Sequence, residues 1–171
     1  ANAYLKGDQY DGIMNYAFTK ICMDYFTARK ADAVAAAHRF NDILARNTDT
    51  VNDMMLNLLD CHDTVRFWTS IGDSLQSEET DSADRIEKQK NIYHAALCLL
   101  YLFPGAPSVF YGDEIYTQGR HDPDCRQCMD WEKTGSTEAK QLSALLRSLS
   151  ELRTCYAPKS GNTRIYASKD G

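Results

Sequence analysis

The sequence lacks the features that mark several protein classes. Lys and Arg are scattered, without a basic stripe or interleaved aromatic residues, and 24 acidic residues outnumber 19 basic ones. A nucleic-acid partner is therefore not expected. The apolar run Ala95 to Phe103 is far shorter than a membrane span, and this stretch does not open with a basic and then apolar leader. We therefore expect no membrane partner, although a leader earlier in a longer chain would escape this test.

The sequence also lacks an internal repeat, a low-complexity tract and a second Cys-x-x-Cys pair. Its single pair is Cys125 and Cys128, and His121 is the histidine near it. A structural zinc site needs four Cys or His ligands, so we expect no metal and no cofactor. The other four cysteines lie singly in apolar stretches, where a reduced cysteine acts as a small hydrophobic residue. This distribution favours a reducing compartment, and we expect a cytoplasmic location.

The 171 residues that are present, 43% of them hydrophobic, suffice for one domain or slightly more. The central stretch begins with residues 54–59, which are almost wholly apolar and predict a strand covered on both faces. It then changes abruptly to Asp60-Cys61-His62-Asp63-Thr64. Polar groups there are costly unless they meet a ligand or each other, and parallel α/β folds place their sites at strand carboxyl ends. His62 and Asp63 are therefore candidate site residues. The alternative is that Asp60 or Asp63 caps the next helix and His62 lies in the core.

Hydrophobic periodicity predicts helices and strands on either side of this stretch. We expect helices from Ala17 (with Phe18, Ile21, Cys22 and Tyr25 inward), over 32–47, over 85–103 (with Ile92, Ala95, Ala96, Leu99 and Leu100 inward) and from Ser136 (with Leu142, Leu145, Leu146 and Leu149 inward). We expect short strands over 10–16, 108–111 and 164–167, and exposed loops over 72–84 and 119–131. The proline and glycine residues of 104–107 should end the third helix.

The alternation of strands and helices predicts an α/β fold with a parallel sheet. The expected strand order is 10–16, then 54–59, then 108–111, with helices on one face. Asn15 and Tyr16 end the first of these strands, and Glu114 follows the third. Since parallel strands share one carboxyl edge, these side chains should lie near His62 and Asp63.

Four stretches, in chain order, resemble the alpha-amylase superfamily of retaining glycoside hydrolases, and within it the neopullulanase, cyclomaltodextrinase and maltogenic amylase group. Gly7 to Tyr16 resembles the family's sixth barrel strand, and Leu58 to Thr64 resembles the end of the seventh. Phe103 to Glu114 resembles the eighth strand with its preceding turn, and Asp122 to Trp131 the loop that follows.

This resemblance implies part of a TIM (β/α)8 barrel, strands six to eight with their helices, over residues 1–154. Residues 155–171 would begin a C-terminal β-sandwich domain. The family's nucleophile aspartate and acid/base glutamate lie on earlier strands and have no counterpart here, so the chain is expected to be a fragment, inactive alone. Three parallel strands cannot close a barrel, so the rest of the barrel or a second copy should cover the open sheet.

The resemblance also implies roles for the candidate residues. Retaining hydrolysis passes through an oxocarbenium-like transition state. Asp63 would be the family's third carboxylate, which stabilises that state, and His62 a donor to sugar hydroxyls. Asp122 and Arg126 match substrate-binding positions, the alternative being a surface ion pair that fixes the loop. Asn15, Tyr16 and Glu114 are expected to line the substrate site or to be structural. Arg66 is a candidate buried partner of an acid, and Trp131 is expected to pack in its loop.

The implied activity is intracellular hydrolysis of α-1,4-glucosidic bonds in cyclodextrins, maltooligosaccharides or pullulan, with an α-glucan oligosaccharide as substrate. Two alternatives stay open: an α-glucosidase or α-amylase of the same superfamily, or a non-catalytic carbohydrate-binding or scaffold domain.

Overall fold

The computed structural model describes residues 4–76 and 81–168. The helices and strands, in chain order, are α1 (Tyr16–Cys22), a π-helical turn (Met23–Thr27), α2 (Ala33–Ala45), α3 (Asp49–Met54), β1 (Leu56–Leu58), α4 (Phe67–Leu75), α5 (Ser82–Leu102), β2 (Ala106–Ser108) and α6 (Thr137–Cys155). Short 3-10 helices lie at Asp113–Ile115, Asp124–Arg126, Lys133–Gly135 and Ser160–Asn162.

The sheet is parallel, as predicted. β1 pairs with β2 in a register that places Leu58 opposite Ser108, and Met14 forms an isolated parallel bridge with Leu56. The Asn15 amide donates to the Leu56 carbonyl at 2.8 Å. The order is therefore the Met14 segment, β1 and β2, with α-helices in both crossovers, which confirms the expected order.

The first two strands are shorter than the sequence suggests. The strand predicted over 10–16 is wrong apart from the bridge at Met14, because Tyr16 already begins α1 and the Asn15 side chain accepts from the Phe18 amide at 3.3 Å. Met54 is the last residue of α3, which Thr48 caps by accepting from the Val51 amide. A short apolar run does not distinguish a strand from the end of a helix.

Asn57 and Leu58, on opposite faces of β1, are both covered, as predicted for this strand. Leu58 is only 1% exposed, and Asn57 is buried on the opposite side of the pleat. Asn57 accepts from Asn15 at 2.8 Å and donates to the Pro104 carbonyl at 2.7 Å. Exposed apolar surface instead occurs at Met54, which is 54% exposed.

The strand predicted over 108–111 begins earlier, at Ala106. Pro107 can occupy β2 because β2 is an edge strand of the described sheet, where a missing amide donor costs little. The strand predicted over 164–167 is not formed. The backbone of Ile165 is held instead by the Asn41 side chain, through contacts of 3.0 and 2.8 Å, so side-chain hydrogen bonds take the place of a strand ladder.

The expected loop over 72–84 is partly helical. Residues 72–75 continue α4, where Ile71 and Leu75, four positions apart, are both fully buried. Residues 77–80 lie outside the described part of the chain, and α5 already begins at Ser82. The predicted end of α5 before Pro104 is confirmed.

The inward face of α5 is rotated from the expected one. Its buried residues include Tyr93, Ala96, Leu97 and Leu100, whereas Ala95 is exposed. Tyr93 has the largest of these side chains and packs against Trp68 and Tyr116, at ring-centroid distances of 5.7 Å to each. Burial of this large aromatic group determines the inward face of α5, and aliphatic residues alone do not predict that face.

The core is formed mainly by the helices, together with Leu59 just after β1 and Phe103 shortly before β2. Phe18, Phe40 and Phe103 form its centre, with ring centroids 5.0 to 5.5 Å apart. α6 closes one side with Leu142 and Leu149, and Ser136 caps it by accepting from the Ala139 amide at 3.1 Å, as predicted. Within residues 4–76 and 81–168, no helix combines the length and apolarity needed to cross a membrane.

Candidate active site

A tight turn follows β1 and brings His62 and Asp63 to the surface. The Cys61 amide donates to the Thr64 hydroxyl at 2.9 Å, and the Thr64 amide returns to the Cys61 carbonyl at 3.2 Å. His62 and Asp63 are each about half exposed, and the His62 Nε2 and Asp63 Oδ2 atoms are 3.2 Å apart. His62 is therefore not a core histidine.

The capping alternative is correct for Asp60 but not for Asp63. The buried Asp60 accepts from the Phe67 amide at 2.6 Å, in the first turn of α4. Burial raises the pKa of Asp60 to about 6, although the Phe67 amide and the Arg66 charge both lower it. Asp63, free of the helix, is available to contact other groups.

The loop after β2 delivers two further predicted residues to the same place. Arg126 donates from Nε to the His62 carbonyl at 3.0 Å and from Nη2 to Asp63 Oδ1 at 3.1 Å. Asp122 Oδ1 lies 2.7 Å from the same Nε. We call His62, Asp63, Asp122 and Arg126 the polar cluster. Its charges alternate, and all four side chains remain partly open to solvent.

Tyr16 lies next to the polar cluster, where it contacts Cys61, the residue before His62. Its hydroxyl lies 3.5 Å from the Cys61 sulfur, and the ring is 43% exposed. The contact with Cys61, then burial and the charges of Cys61 and Asp63, raise the pKa of Tyr16 to about 12. Tyr16 therefore keeps its proton at neutral pH and can donate a hydrogen bond.

In the described part of the chain, no hydrogen bond or ion pair joins the other two predicted residues, Asn15 and Glu114, to the polar cluster. Asn15 is buried in its contacts with Asn57 and the Phe18 amide. Glu114 is half buried in the turn at Asp113–Ile115, and in the described ranges no hydrogen bond or ion pair joins it to Asp63. Both contacts of Asn15 are structural.

Arg66 is the buried partner of an acid, as predicted, and that acid is Asp113. The guanidinium is 0% exposed, and its Nη1 lies 3.3 Å from Asp113 Oδ1. It also donates to the carbonyls of Cys125 at 2.9 Å and Tyr111 at 2.8 Å, and it stacks 4.0 Å above the Phe110 ring. Arg66 thus ties the loop that carries Arg126 to the turns that follow β1 and β2.

Sequence reasoning missed Asp113. Burial and the nearby Asp60 charge raise its pKa, while the Arg66 guanidinium lowers it. A carboxylate directly after the left-handed Gly112 at the end of a strand was the available signal.

The cysteines and Trp131 are the remaining residues singled out from the sequence. Cys125 is buried and donates from its sulfur to the His62 carbonyl at 3.1 Å, whereas Cys128 is exposed, and all six cysteines are free. Among the described residues, the ligand atoms of Cys61, His62 and Asp63 lie within 4.8 Å of one another. The expectation that Trp131 packs in its loop is wrong, because it is 76% exposed.

Parallel strands joined through helices, with a polar cluster past their carboxyl ends, define part of an α/β protein whose site placement is that of a barrel enzyme. More specifically, the chain belongs to the alpha-amylase family, because the model of the alpha amylase catalytic domain matches residues 1–164.

The relatives agree with this assignment. The chain is 34% identical over 158 residues to a cyclomaltodextrinase of Thermoanaerobacter pseudethanolicus, covering 90% of this chain and 25% of that protein. It is 35% identical over 133 residues to an intracellular maltogenic amylase of Bacillus subtilis, covering 78% of this chain and 20% of that protein.

A solved structure is similar as well. The cyclic α-maltosyl-(1→6)-maltose hydrolase of Arthrobacter globiformis, in complex with cyclic α-maltosyl-(1→6)-maltose, superposes with a TM-score of 0.71 at 31% identity, covering 90% of this chain and 31% of that one. The chain therefore spans about a fifth to a third of the length of these relatives.

Proposed function

We propose that this chain is part of a glycoside hydrolase that cleaves α-1,4-glucosidic bonds in cyclodextrins, maltooligosaccharides or pullulan. Membership of the alpha-amylase family supports this proposal. So do relatives named cyclomaltodextrinase, intracellular maltogenic amylase and neopullulanase 2. The Arthrobacter hydrolase in complex with maltose supports an α-glucan oligosaccharide as substrate.

The observation that carries the proposal is the polar cluster itself. Asp63 keeps one oxygen on Arg126 and presents the other beside His62 Nε2, at 3.2 Å. A sugar bound here would meet a fixed carboxylate and an imidazole donor. Contacts that strengthen as the ring flattens toward an oxocarbenium ion accelerate the chemical step. Asp63 is therefore the transition-state stabiliser in this proposal, and His62 binds sugar hydroxyls.

Asp122 and Arg126 form the substrate-binding side of the site. Arg126 offers a planar fork of donors and Asp122 an acceptor, which suits the vicinal hydroxyls of glucose. Tyr16 supplies an exposed ring and a protonated hydroxyl beside them. The contacts of Asn15 favour its structural alternative, and Glu114 remains in the proposal as a wall of the site.

The proposal also assigns the parts of the chain to the barrel and to a following domain. The three parallel segments correspond to barrel strands six to eight within residues 1–154, and residues 155–171 begin a C-terminal β domain. The nucleophile aspartate and acid/base glutamate then come from outside this chain. A cytoplasmic location is consistent with six free cysteines and with a relative named intracellular.

The test is Asp63→Asn in the natural protein that contains this chain. Since the proposed contacts form mainly in the transition state, kcat on a maltooligosaccharide should fall by about a hundredfold or more while KM changes little. Asp8→Asn, at an exposed aspartate far along the chain from the turn, is the matched control and should leave both constants unchanged. A change in KM alone would contradict the role given to Asp63.

A further inference from the structure

We propose that Cys61, His62 and Asp63 bind a thiophilic divalent transition-metal ion such as Zn²⁺. We further propose that this ion competes with the sugar, a part that rests on the proposed function above. The sequence predicts no metal at Cys125 and Cys128, because no second Cys-x-x-Cys pair accompanies them. The three consecutive residues of the turn offer a different ligand set: a thiolate, an imidazole and a carboxylate.

Two of the three ligand atoms already have the required separation. His62 Nε2 and Asp63 Oδ2 are 3.2 Å apart. Zinc bound tetrahedrally to nitrogen and oxygen at about 2.0–2.2 Å places two such ligands about 3.3–3.5 Å from each other. An ion seated between these atoms would replace their present direct contact. Both side chains are half exposed, so the ion has a direct path from solvent.

Three polar groups surround the third ligand, the Cys61 sulfur. The Asp63 amide donates to it at 3.4 Å, and the Thr64 hydroxyl lies 3.9 Å away. The Tyr16 hydroxyl lies 3.5 Å from it. Its distance to the other two ligand atoms is at most 4.8 Å, so a small rotation of the exposed His62 and Asp63 side chains closes the coordination sphere. The thiol proton is released to solvent on binding.

The arrangement around these residues indicates an inhibitory metal site and not a structural one. Arg126 occupies the other oxygen of Asp63, at 3.1 Å, so Asp63 can serve as a monodentate ligand without losing that contact. The nearby guanidinium charge lowers the affinity for a cation. Three protein ligands leave a fourth position open to water, which distinguishes this set from a closed structural zinc site.

Competition follows from the identity of the ligands. An ion bound to His62 Nε2 and Asp63 Oδ2 uses the two atoms that the proposed mechanism assigns to the sugar. Metal and α-glucan should therefore exclude each other at this turn.

The experiment uses Co²⁺ as the probe, because thiolate coordination gives a charge-transfer band and tetrahedral geometry gives intense visible bands. The natural protein, first treated with a chelator and then dialysed, is titrated with Co²⁺. We expect one equivalent to bind with a thiolate band, and Zn²⁺ to remove that band. Cys61→Ser should abolish it, while Cys128→Ser, at an exposed thiol, should keep it. A band that survives Cys61→Ser, or its absence in the unaltered protein, would overturn the site.

Two further Co²⁺ titrations use the His62→Ala variant and the sugar maltotriose. His62→Ala should weaken Co²⁺ binding by about tenfold or more, with circular dichroism confirming that the variant is folded. Maltotriose should raise the apparent Kd for Co²⁺. A Cys61-dependent band that maltotriose leaves unchanged would overturn the competition and weaken the proposed function while the metal site stands. Full glycosidase activity without any cobalt band would overturn the metal site alone.

Discussion

Arg126 connects the loop after β2 to the turn after β1. It donates to the His62 carbonyl and to the Asp63 carboxylate, and it forms an ion pair with Asp122. Hydrogen bonds to charged groups contribute about 1.5–3 kcal/mol each. We therefore predict that Arg126→Ala raises KM for a maltooligosaccharide by about tenfold or more and lowers kcat to a smaller extent, measured by steady-state kinetics.

The matched control for this variant lies in the same loop. Arg120 makes a bidentate ion pair with Asp73, at 2.7 and 2.9 Å, away from the polar cluster. Arg120→Ala removes the same charge and should leave KM nearly unchanged. Equal losses in both variants would mean that the net charge of the loop, and not the contacts of Arg126, governs substrate binding.

Asp60 should make the folded protein less stable as the pH rises, which is the opposite of the usual effect of an aspartate. Burial raises its pKa from 3.8 to about 6. Between these values the folded state binds a proton that the unfolded state has lost. The free energy of unfolding should therefore decrease as the pH rises from about 4 through about 6. At about 1.4 kcal/mol per pH unit, the contribution is about 3 kcal/mol.

Urea unfolding at pH 4 and at pH 7 measures this contribution against Asp60→Asn. The asparagine cannot ionise, so the decrease between the two pH values should be smaller in the variant than in the unaltered protein. Asp113, whose pKa burial also raises, keeps its own contribution of the same sign. An identical pH dependence in both proteins would show that Asp60 is not the titrating group.

At the level of single residues, sequence reasoning found the ends of strands but not the direction of side chains. His62, Asp63 and Tyr16 are predicted from their places at strand ends, and Asp122 and Arg126 from the family resemblance. These five residues lie together. Asn15 was expected in the same place but is buried, because its amide pairs with Asn57 on the neighbouring strand. Such a pairing between residues 42 positions apart has no local signature.

Gly105 sets the start of β2 and shows how one element depends on another. Its φ of +106° is unfavourable for any residue with a Cβ, and a Cβ there would lie 2.6 Å from the Met55 carbonyl oxygen and 2.7 Å from Asn57 Nδ2. We predict that Gly105→Ala destabilises the fold by about 2 kcal/mol or more, measured by urea unfolding.

Gly135 is the matched control. It lies in the 3-10 turn before α6, and a Cβ there would meet no atom within 4 Å. Gly135→Ala should therefore change the free energy of unfolding by less than about 0.5 kcal/mol. If Gly105→Ala were as mild as this control, the close approach of Gly105 to β1 would be refuted.

The helices were easier to predict than the strands. α2, α5 and α6 have periodic apolar faces and ends marked by capping residues or by the proline and glycine residues after Leu102. β1 and β2 are three residues each, and their limits depend on pairing with each other. A three-residue strand is too short for a period of two to be recognised.

For the molecule as a whole, we predict that this chain alone does not turn over substrate. The nucleophile and the acid/base residue of the proposed mechanism lie outside it, and a retaining hydrolase needs both. The purified 171-residue chain should show no hydrolysis of a cyclodextrin or of an activated maltoside. The natural protein, assayed in parallel, is the positive control.

The Asp63→Asn variant distinguishes activity of this chain from activity of a contaminating enzyme. Turnover that survives repurification and disappears in Asp63→Asn would mean that this chain carries its own catalytic carboxylates. The proposed division of the active site would then be wrong.

The sequence by itself determined the class of the fold and the turn that carries the site. An apolar run that changes abruptly to charged residues marks the end of a buried strand, because uncompensated charges cannot stay inside. Helical crossovers between such runs favour parallel pairing, which the structure contains. These features are local or nearly so, and can therefore be recognised along the chain.

Only the tertiary structure decided which polar groups meet. Arg66 joins Asp113, Tyr111 and Cys125, and Asp60 turns to α4 while Asp63 turns to Arg126. Asp60 and Asp63 have the same side chain and lie three positions apart, yet one is buried with a raised pKa and the other is half exposed. Their difference arises from burial and from partners brought by distant segments, and those are properties of the packed chain.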